Sequence, residues 1–254
     1  MSRQNMEIYS TPAFSCSYLE DKTAVNAVFN PEAKPDAVTY SRLIDLGFRR
    51  SGAHVYRPQC PSCSACKPSR VIVSEFRPNR SQRRCWKYNQ DLSVNVSPAQ
   101  HRQEYFDLYS KYLRARHAGG GMQDSTADDY LKFLTSSWSD TYFIEFRLDK
   151  RLLCVAVIDK LRQGYSSIYT FFDPEERKRS LGVFAVLWQI ATADKNRIPS
   201  IYLGYWIEGC RKMRYKMDYK PIEILTSDGW SKLDEPEQPL PKKTLMDAPK
   251  WYAK

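Results

Sequence analysis

TYFIEFRLDKRLLCVAVIDKLRQGYSSIYTFF, residues 141–172, decides the fold. Aromatic and β-branched side chains crowd three runs within it, residues 141–148, 152–159 and 165–172, and such side chains suit a pleated, half-buried surface. Asp149-Lys150-Arg151 and Arg162-Gln163-Gly164 separate the runs and suit hairpin turns. An antiparallel meander is the natural reading. The apolar period then changes: Leu181, Phe184, Leu187, Trp188 and Ala191 share one face of an amphipathic helix over residues 180–196. Ser200-Ile201-Tyr202-Leu203 resumes as a strand. Strands, a helix and a further strand make an α+β sheet, and Cys154, set among apolar neighbours, is expected to be buried in it.

That order resembles the GNAT-like acetyltransferase fold, in which a helix begins where two central strands splay apart. A mixed, largely antiparallel sheet is therefore expected in the C-terminal half. Upstream, residues 1–30 read as an irregular arm, and residues 36–46 carry apolar side chains at helical spacing closed by Gly47, a C-cap signal. A Cys/Pro/Ser knot at 60–68 precedes the strand-like Arg70-Val71-Ile72-Val73. Tyr105, Leu108, Tyr109, Tyr112 and Leu113 then line one face of a helix over 101–117, which stops at Gly119-Gly120-Gly121, a hinge or a mobile loop. The expected organisation is a small, loop-rich, Cys-bearing N-terminal domain over 1–98, an acetyltransferase-like domain over 99–232, and a Pro- and charge-rich tail over 233–254.

The chain's 254 residues are 42% hydrophobic and 13% aromatic, which excludes global disorder. Lys and Arg number 39 against 29 Asp and Glu, a formal charge of +10, so the field draws polyanions and nucleic acid is the first partner to consider. Met1-Ser2-Arg3-Gln4-Asn5-Met6-Glu7 has no apolar secretory core, and no run approaches the roughly 18 uncharged apolar residues of a membrane span. A cytoplasmic protein without a membrane partner is expected. Seven cysteines, an odd number, favour metal binding or burial over a disulfide framework in a reducing compartment.

Four constellations carry chemistry. Cys60-Pro61-Ser62-Cys63-Ser64-Ala65-Cys66 is a C-x-x-C-x-x-C run, and with Cys16 from the arm it supplies four soft ligands for Zn or an iron–sulfur cluster; three reduced cysteines packed under a loop is the alternative. Lys67, Arg70, Arg77, Arg80, Arg83, Arg84 and Lys87 follow, with Phe76 and Trp86 among them, as either an anion site or a solvated basic face. Arg177-Lys178-Arg179 lies just before Ser180-Leu181-Gly182, where the free N–H groups of a helix N-terminus bind anions. The R/Q-x-x-G-x-G/A pyrophosphate loop is absent there, so coenzyme A is not the preferred donor. Last, Tyr202-Leu203-Gly204-Tyr205-Trp206-Ile207, with the cations between Cys210 and Pro221, suits an adenosine and a phosphodiester, or equally a Tyr-rich core edge.

Together these segments resemble the arginyl-tRNA–protein transferase family, most closely its bacterial branch, the aspartate/glutamate leucyltransferases. The matching runs, in order, are Tyr9-Ser10-Thr11-Pro12, Cys16-Ser17-Tyr18-Leu19, Leu46-Gly47-Phe48-Arg49-Arg50-Ser51-Gly52, Cys66-Lys67-Pro68-Ser69-Arg70-Val71, Phe76-Arg77-Pro78, Ser81-Gln82-Arg83-Arg84, Tyr169-Thr170-Phe171-Phe172-Asp173-Pro174, Ser180-Leu181-Gly182, Tyr202 to Ile207 and Met213-Arg214-Tyr215-Lys216. The resemblance implies an enzyme that takes leucine from leucyl-tRNA and joins it to proteins with an N-terminal Asp or Glu, a signal for degradation. Eukaryotic members hold a metal cluster on two cysteine pairs. Here Cys16 and Cys66 match, Leu19 and Ala65 stand at the partner positions, and Cys60 and Cys63 are the substitutes.

An aminoacyl ester is already activated, so the chemistry needs no ATP, cofactor or covalent intermediate, and the enzyme must orient an amine, take a proton and stabilise an oxyanion. For the acceptor carboxylate the candidates are Arg80, Arg83, Arg84 and Lys212, since an Arg fork grips both oxygens. Asp173, Tyr169 and Tyr205 are the candidates for proton handling, with His117 beside the glycine run as another. Arg177, Lys178, Arg179, Ser180, Gly182 and Lys216 are the expected tRNA contacts. Two rivals from other classes stand beside this reading: a coenzyme A-dependent N-acetyltransferase and a non-catalytic zinc-bearing RNA-binding protein.

Overall fold

Four short strands and a hairpin build the entry to the chain: β1 (Ile8–Ser10), β2 (Phe14–Ser15), β3 (Thr23–Ala24) and β4 (Asn26–Phe29) precede helix α1 (Ala37–Asp45) and strands β5 (Arg49–Ser51) and β6 (His54–Pro58). The computed structural model describes residues 7–116 and 125–233. His117, the Gly119-Gly120-Gly121 run and residues 234–254 of the expected tail lie outside the described residues. Asp36 caps α1 by accepting from Thr39 N at 2.7 Å. Gly47, at φ +86, ends the helix where an added Cβ would meet Pro68 Cγ at 2.7 Å, so the position needs glycine for both conformation and space.

The remaining elements are β7 (Lys67–Ile72), α2 (Arg80–Tyr88), β8 (Ser93–Pro98), α3 (Gln103–Arg116), α4 (Ala127–Leu134), β9 (Thr141–Leu148), β10 (Arg151–Leu161), β11 (Gly164–Phe172), α5 (Leu181–Lys195), β12 (Ser200–Trp206), β13 (Ile222–Thr226) and β14 (Gly229–Lys232). An eight-stranded sheet takes the order β14-β13-β7-β12-β11-β10-β9-β8, beside a four-stranded sheet β1-β4-β6-β5. All pairings in the large sheet are antiparallel except β11 with β12. The meander is β9-β10-β11, and α5 is the crossover that returns the chain to a parallel β12. This is the expected α+β, GNAT-like arrangement. Because β7 and β8 belong to it, the large sheet crosses the boundary expected at residue 98. The last described strand, β14, pairs with β13 just before the expected tail.

Helices cover both faces of the sheet, so β10 reads as a near-continuous apolar run. Leu181, Phe184 and Ala185 of α5 pack on Ile144, Phe146, Cys154 and Ala156, while Tyr105, Tyr109 and Tyr130 from α3 and α4 pack on Phe143, Val155, Val157 and Phe171. Cys154 is fully buried, as expected. No helix among the described residues is long and apolar enough to cross a membrane.

A fully buried ion pair joins the small sheet to the large one. Arg50 donates through Nε to Asp159 Oδ2 at 2.6 Å and through Nη2 to Oδ1 at 2.8 Å, with both side chains 0% exposed. Tyr40 of α1 donates to the same carboxylate at 2.5 Å and Thr141 at 2.7 Å. Removing one partner of such a pair leaves an uncompensated buried charge. Arg50→Met is therefore expected to cost about 3–5 kcal/mol in urea unfolding, and Arg50→Met with Asp159→Asn to recover part of that loss because the stranded charge is gone.

Candidate active site

β11 and β12 pair over three rungs only, Gly164 with Ser200, Tyr165 with Ile201 and Ser166 with Tyr202. Beyond the third rung each strand carries an extra residue: Ile168 in β11 where β10 passes from Val157 to Ile158, and Leu203 in β12 where β7 passes from Arg70 to Ser69. Bulges bend a strand and increase its twist. The two strands separate and open a fork toward their C-terminal ends.

Arg49 fills the closed end of that fork. Its Nη1 donates to Ser166 Oγ at 2.9 Å and to the Tyr202 carbonyl at 3.5 Å, and its Nη2 donates to the Ser167 carbonyl. Alternate side chains of a strand point to opposite faces, so β5 sends Arg50 to Asp159 and Arg49 to the fork. Gly204 makes room: its φ is +84, and a Cβ there would lie 3.3 Å from Arg49 Nε.

Lys216 joins Arg49 from the 3₁₀ segment Arg211–Asp218, which folds back on β12. Its ammonium donates to the Tyr205 carbonyl, and the residue is 6% exposed. Burial, then the neighbouring Arg49 guanidinium, pushes its pKa down to about 7. The Tyr215 ring lies beside it, with Nζ 6.0 Å from the centroid; the residue is partly exposed, and burial of its hydroxyl raises the pKa, with Tyr112 adding to the rise and Arg49 opposing it. Tyr112 packs on Tyr169 and Phe172, with ring centroids 6.3 and 4.9 Å apart. The fork thus has a cationic floor and an aromatic flank.

The loop after β11 forms the other lip. Ser180 sits at φ +50 in the left-handed region and no side chain caps α5, so its first N–H groups stay available to an anion. Arg177 and Lys178 are exposed beside them. Gly182 lies against Phe172, where a Cβ would meet the ring at 3.2 Å. Arg179 is different: it is 9% exposed and grips Asp91 with two bonds of 2.9 Å, so it fastens the loop to the segment after α2. An open depression lined by Lys111, Arg114, Ala115, Pro174, Glu175 and Arg177 continues the basic lip.

The proton-handling candidates are placed as follows. Asp173 is 6% exposed and accepts from Lys111 Nζ at 2.8 Å and Glu175 N at 3.1 Å. Burial favours its neutral form, but those two donors outweigh burial and hold the carboxyl below the usual carboxylate range, which makes it a weak proton acceptor. Tyr205 donates to the Gly47 and Tyr56 carbonyls at 2.9 and 3.2 Å, and burial raises its pKa; it ties β12 to β6 and to the turn after α1. Tyr169 is half-buried against Tyr109, Tyr112 and Phe133, with its pKa raised by the same burial.

Arg80, Arg83 and Arg84 stand exposed on α2, and Lys212 is exposed on its own segment. The helix itself escaped the sequence reading, although Asn79 and Gln82 form a capping box with both bonds at 2.9 Å, a pattern visible as N-x-x-Q. Gln82 also donates to the Asp218 carbonyl at 2.9 Å, and Asn89 to the Arg179 carbonyl at 2.8 Å, so α2 ties together the loops on both sides of the fork. Of the residues now found inside the fork, Arg49, Tyr112 and Tyr215 carried no site signal in the sequence, and Lys216, expected as a tRNA contact, is buried instead.

The thiols are gathered but not arranged as ligands. Burial, then the neighbouring Cys16, Cys60, Cys63 and Cys210, raises the Cys66 pKa to about 11, while Cys60 Sγ points at the Val25 carbonyl, 3.8 Å away. Among the described residues no three His, Cys, Asp or Glu side chains are disposed to hold a metal ion. The four-thiolate site expected at Cys16, Cys60, Cys63 and Cys66 is therefore not shown, although the other three thiols lie near enough to Cys66 to act on it electrostatically.

Fold and fork define a GNAT-like acyltransferase architecture. The family model described as arginine-tRNA-protein transferase, N terminus, matches residues 14–84, and that described as its C terminus matches 104–226. An aspartate/glutamate leucyltransferase of Nitrosococcus oceani is 52% identical over 232 residues, 91% of this chain and 98% of that one, and one of Hahella chejuensis is 50% identical over 227 residues, 89% and 97%. Among solved structures, L-PGS from Bacillus licheniformis superposes with a TM-score of 0.47 at 11% identity, over 70% of this chain and 60% of that one. The chain belongs to the arginine-tRNA-protein transferase family, whose members are aminoacyltransferases.

Lys216 gives a stability test of the site. Its folded pKa, about 7, lies below the ordinary 10.5, so the cost of burying the ammonium is full below pH about 7 and fades as pH rises toward the unfolded value. Lys216→Met is expected to be more stable than the wild type at pH 6, by at least about 1 kcal/mol in urea unfolding. The difference should shrink between pH 7 and 10.

Proposed function

We propose that this chain moves leucine from leucyl-tRNA to the N-terminal amine of proteins beginning with Asp or Glu, marking them for degradation. The observation that carries the reading is the fork, which offers a slot between two strand ends with an uncapped helix N-terminus and free cations at its lip. An aminoacyl ester fits such a slot with its tRNA end outside. The printed names of the relatives give the same activity for those proteins, at about half identity over nearly the whole chain.

The chemistry follows from the donor. The acceptor nitrogen attacks the ester carbonyl carbon, the new amide bond forms, and the bond to the tRNA ribose oxygen breaks with a proton passing from nitrogen to that oxygen. No ATP or cofactor enters. A free α-amine has a pKa near 7.7–8.0, so orientation in a dry slot does most of the work. Beyond Ser166 and Tyr202 the strands lose their rungs, and the backbone N–H groups freed there are the natural partners of the tetrahedral oxyanion.

For the tRNA we assign Arg177, Lys178 and the Leu181 and Gly182 N–H groups at the start of α5 to the phosphates near the 3′ end. The exposed Arg80, Arg83, Arg84 and Lys212 extend the same basic surface, since solvated cations suit a polyanion better than a single carboxylate. A tRNA donor places the reaction in the cytoplasm.

Radiolabelled leucine should pass from leucyl-tRNA to a peptide beginning with Asp, and ribonuclease should abolish the transfer. Label arriving from acetyl-coenzyme A instead would replace this reading with an N-acetyltransferase. Neutralising Arg177 and Lys178 together should reduce the slope of log K against log salt for tRNA binding by about 1.5–2; an unchanged slope would move the RNA surface elsewhere.

A further inference from the structure

Arg49 and Lys216 are two buried cations side by side at the floor of the fork, 9% and 6% exposed. Among the described residues neither forms an ion pair. Every other strongly buried cation described here has its carboxylate: Arg50 has Asp159, and Arg179 has Asp91. A buried charge without a counter-ion is costly, so an unpaired couple needs a reason.

Their donors differ. Arg49 spends both terminal nitrogens on Ser166, Ser167 and Tyr202, so it contributes a fixed positive potential and a rigid floor. Lys216 has three N–H donors and one described acceptor, the Tyr205 carbonyl. The aromatic flank of Tyr112, Tyr169, Phe172 and Tyr215 lowers the local dielectric and strengthens any charge pairing there.

We infer that Lys216, backed by Arg49, binds the side-chain carboxylate of the acceptor's first residue and so sets the preference for Asp and Glu. The inference rests on the proposed transfer reaction and gives the acceptor its place in the fork. A carboxylate on a short stem is slender enough to enter between the aromatic rings, whereas a phosphodiester carries a sugar on each side and has exposed cations at the lip. An acceptor held this way brings its α-nitrogen close to the floor, where the two cations disfavour the ammonium form and favour the nucleophilic amine. An Asn or Gln side chain leaves the cations uncompensated, so the site discriminates by charge rather than shape.

Peptides identical except for a first residue of Asp or Asn, with leucyl-tRNA as donor, test this on the full chain. The wild type is expected to use Asp over Asn by about 10²-fold or more in kcat/KM. Lys216→Met should lower the Asp value by a similar factor and collapse the preference, with leucyl-tRNA affinity retained and the melting temperature not lowered; Lys216→Arg, which keeps the charge, should restore part of the preference. If Lys216→Met unfolds, Lys216→Gln carries the same expectation. Single alanine variants of Arg80, Arg83 and Arg84 should instead weaken tRNA binding and keep the preference. An Asp-over-Asn ratio that survives in Lys216→Met overturns the inference while leaving the transferase reading intact, as does loss of tRNA affinity with the ratio unchanged. A wild type that transfers no leucine to either peptide refutes the functional reading, and this one with it.

Discussion

The buried bond between Arg50 and Asp159 fixes where everything else can sit. Asp159 ends the apolar run of β10 and accepts from Arg50, Tyr40 and Thr141, while Arg50 also donates to the Gly52 and Leu134 carbonyls at 3.0 and 2.8 Å. Four elements, β10, β5, α1 and β9, therefore meet at one carboxylate. Burial lowers and the Asp159 carboxylate raises the Arg50 pKa, with the carboxylate prevailing, so the guanidinium stays charged. Charges out of water tolerate little displacement, because a stretched pair keeps its desolvation cost and loses its attraction. The register of β5 against the large sheet is set accordingly.

That register has a chemical consequence one residue away. A strand alternates its side chains between two faces, so fixing Arg50 inward aims Arg49 at the opening between β11 and β12. Arg49 then substitutes for missing rungs of the sheet, satisfying the Ser167 and Tyr202 carbonyls that a closed pairing would have consumed. The small sheet is thus part of the floor of the site rather than an appendage to it. Tyr205 makes the same connection in reverse, donating from β12 to the Gly47 and Tyr56 carbonyls. The matched family regions, 14–84 and 104–226, bracket a fold whose large sheet draws strands from both.

Periodicity made the meander, α1, α3 and α5 legible, because each buries a continuous face and the burial imposes a period on the sequence. A mixed sheet followed from the order of elements, and the structure identifies β12 as the strand that pairs in parallel. Less was legible of the site. Two bulges create the fork, and a bulge is one extra residue with no compositional mark beyond Gly204. Lys216 sits in a run of seven charged or aromatic side chains between Arg211 and Tyr219, and nothing local distinguishes the one cation that folds inward. Arg179 shows the converse: its two neighbours are exposed as expected, while its guanidinium is committed to Asp91. Short-range sequence pattern reports exposure of a segment, and long-range packing decides the fate of each side chain within it.

Depth then divides the labour among the cations. A tRNA offers many phosphates in water, and exposed Arg and Lys side chains bind it through summed, salt-screened attraction in which no single contact is decisive. An acceptor offers one carboxylate, and a solvated lysine gains little from it because surface pairs are worth only about 0–1 kcal/mol. Discrimination of one negative charge from its neutral isostere needs a cation that has already left water and lacks a partner. Arg49 and Lys216 meet that condition and the arginines of α2 do not, so the same excess of positive charge that draws the donor to the surface cannot be what reads the acceptor. The stability lost by burying Lys216 without a counter-ion is the physical counterpart of that selectivity, and a protein selected for stability alone would not retain it.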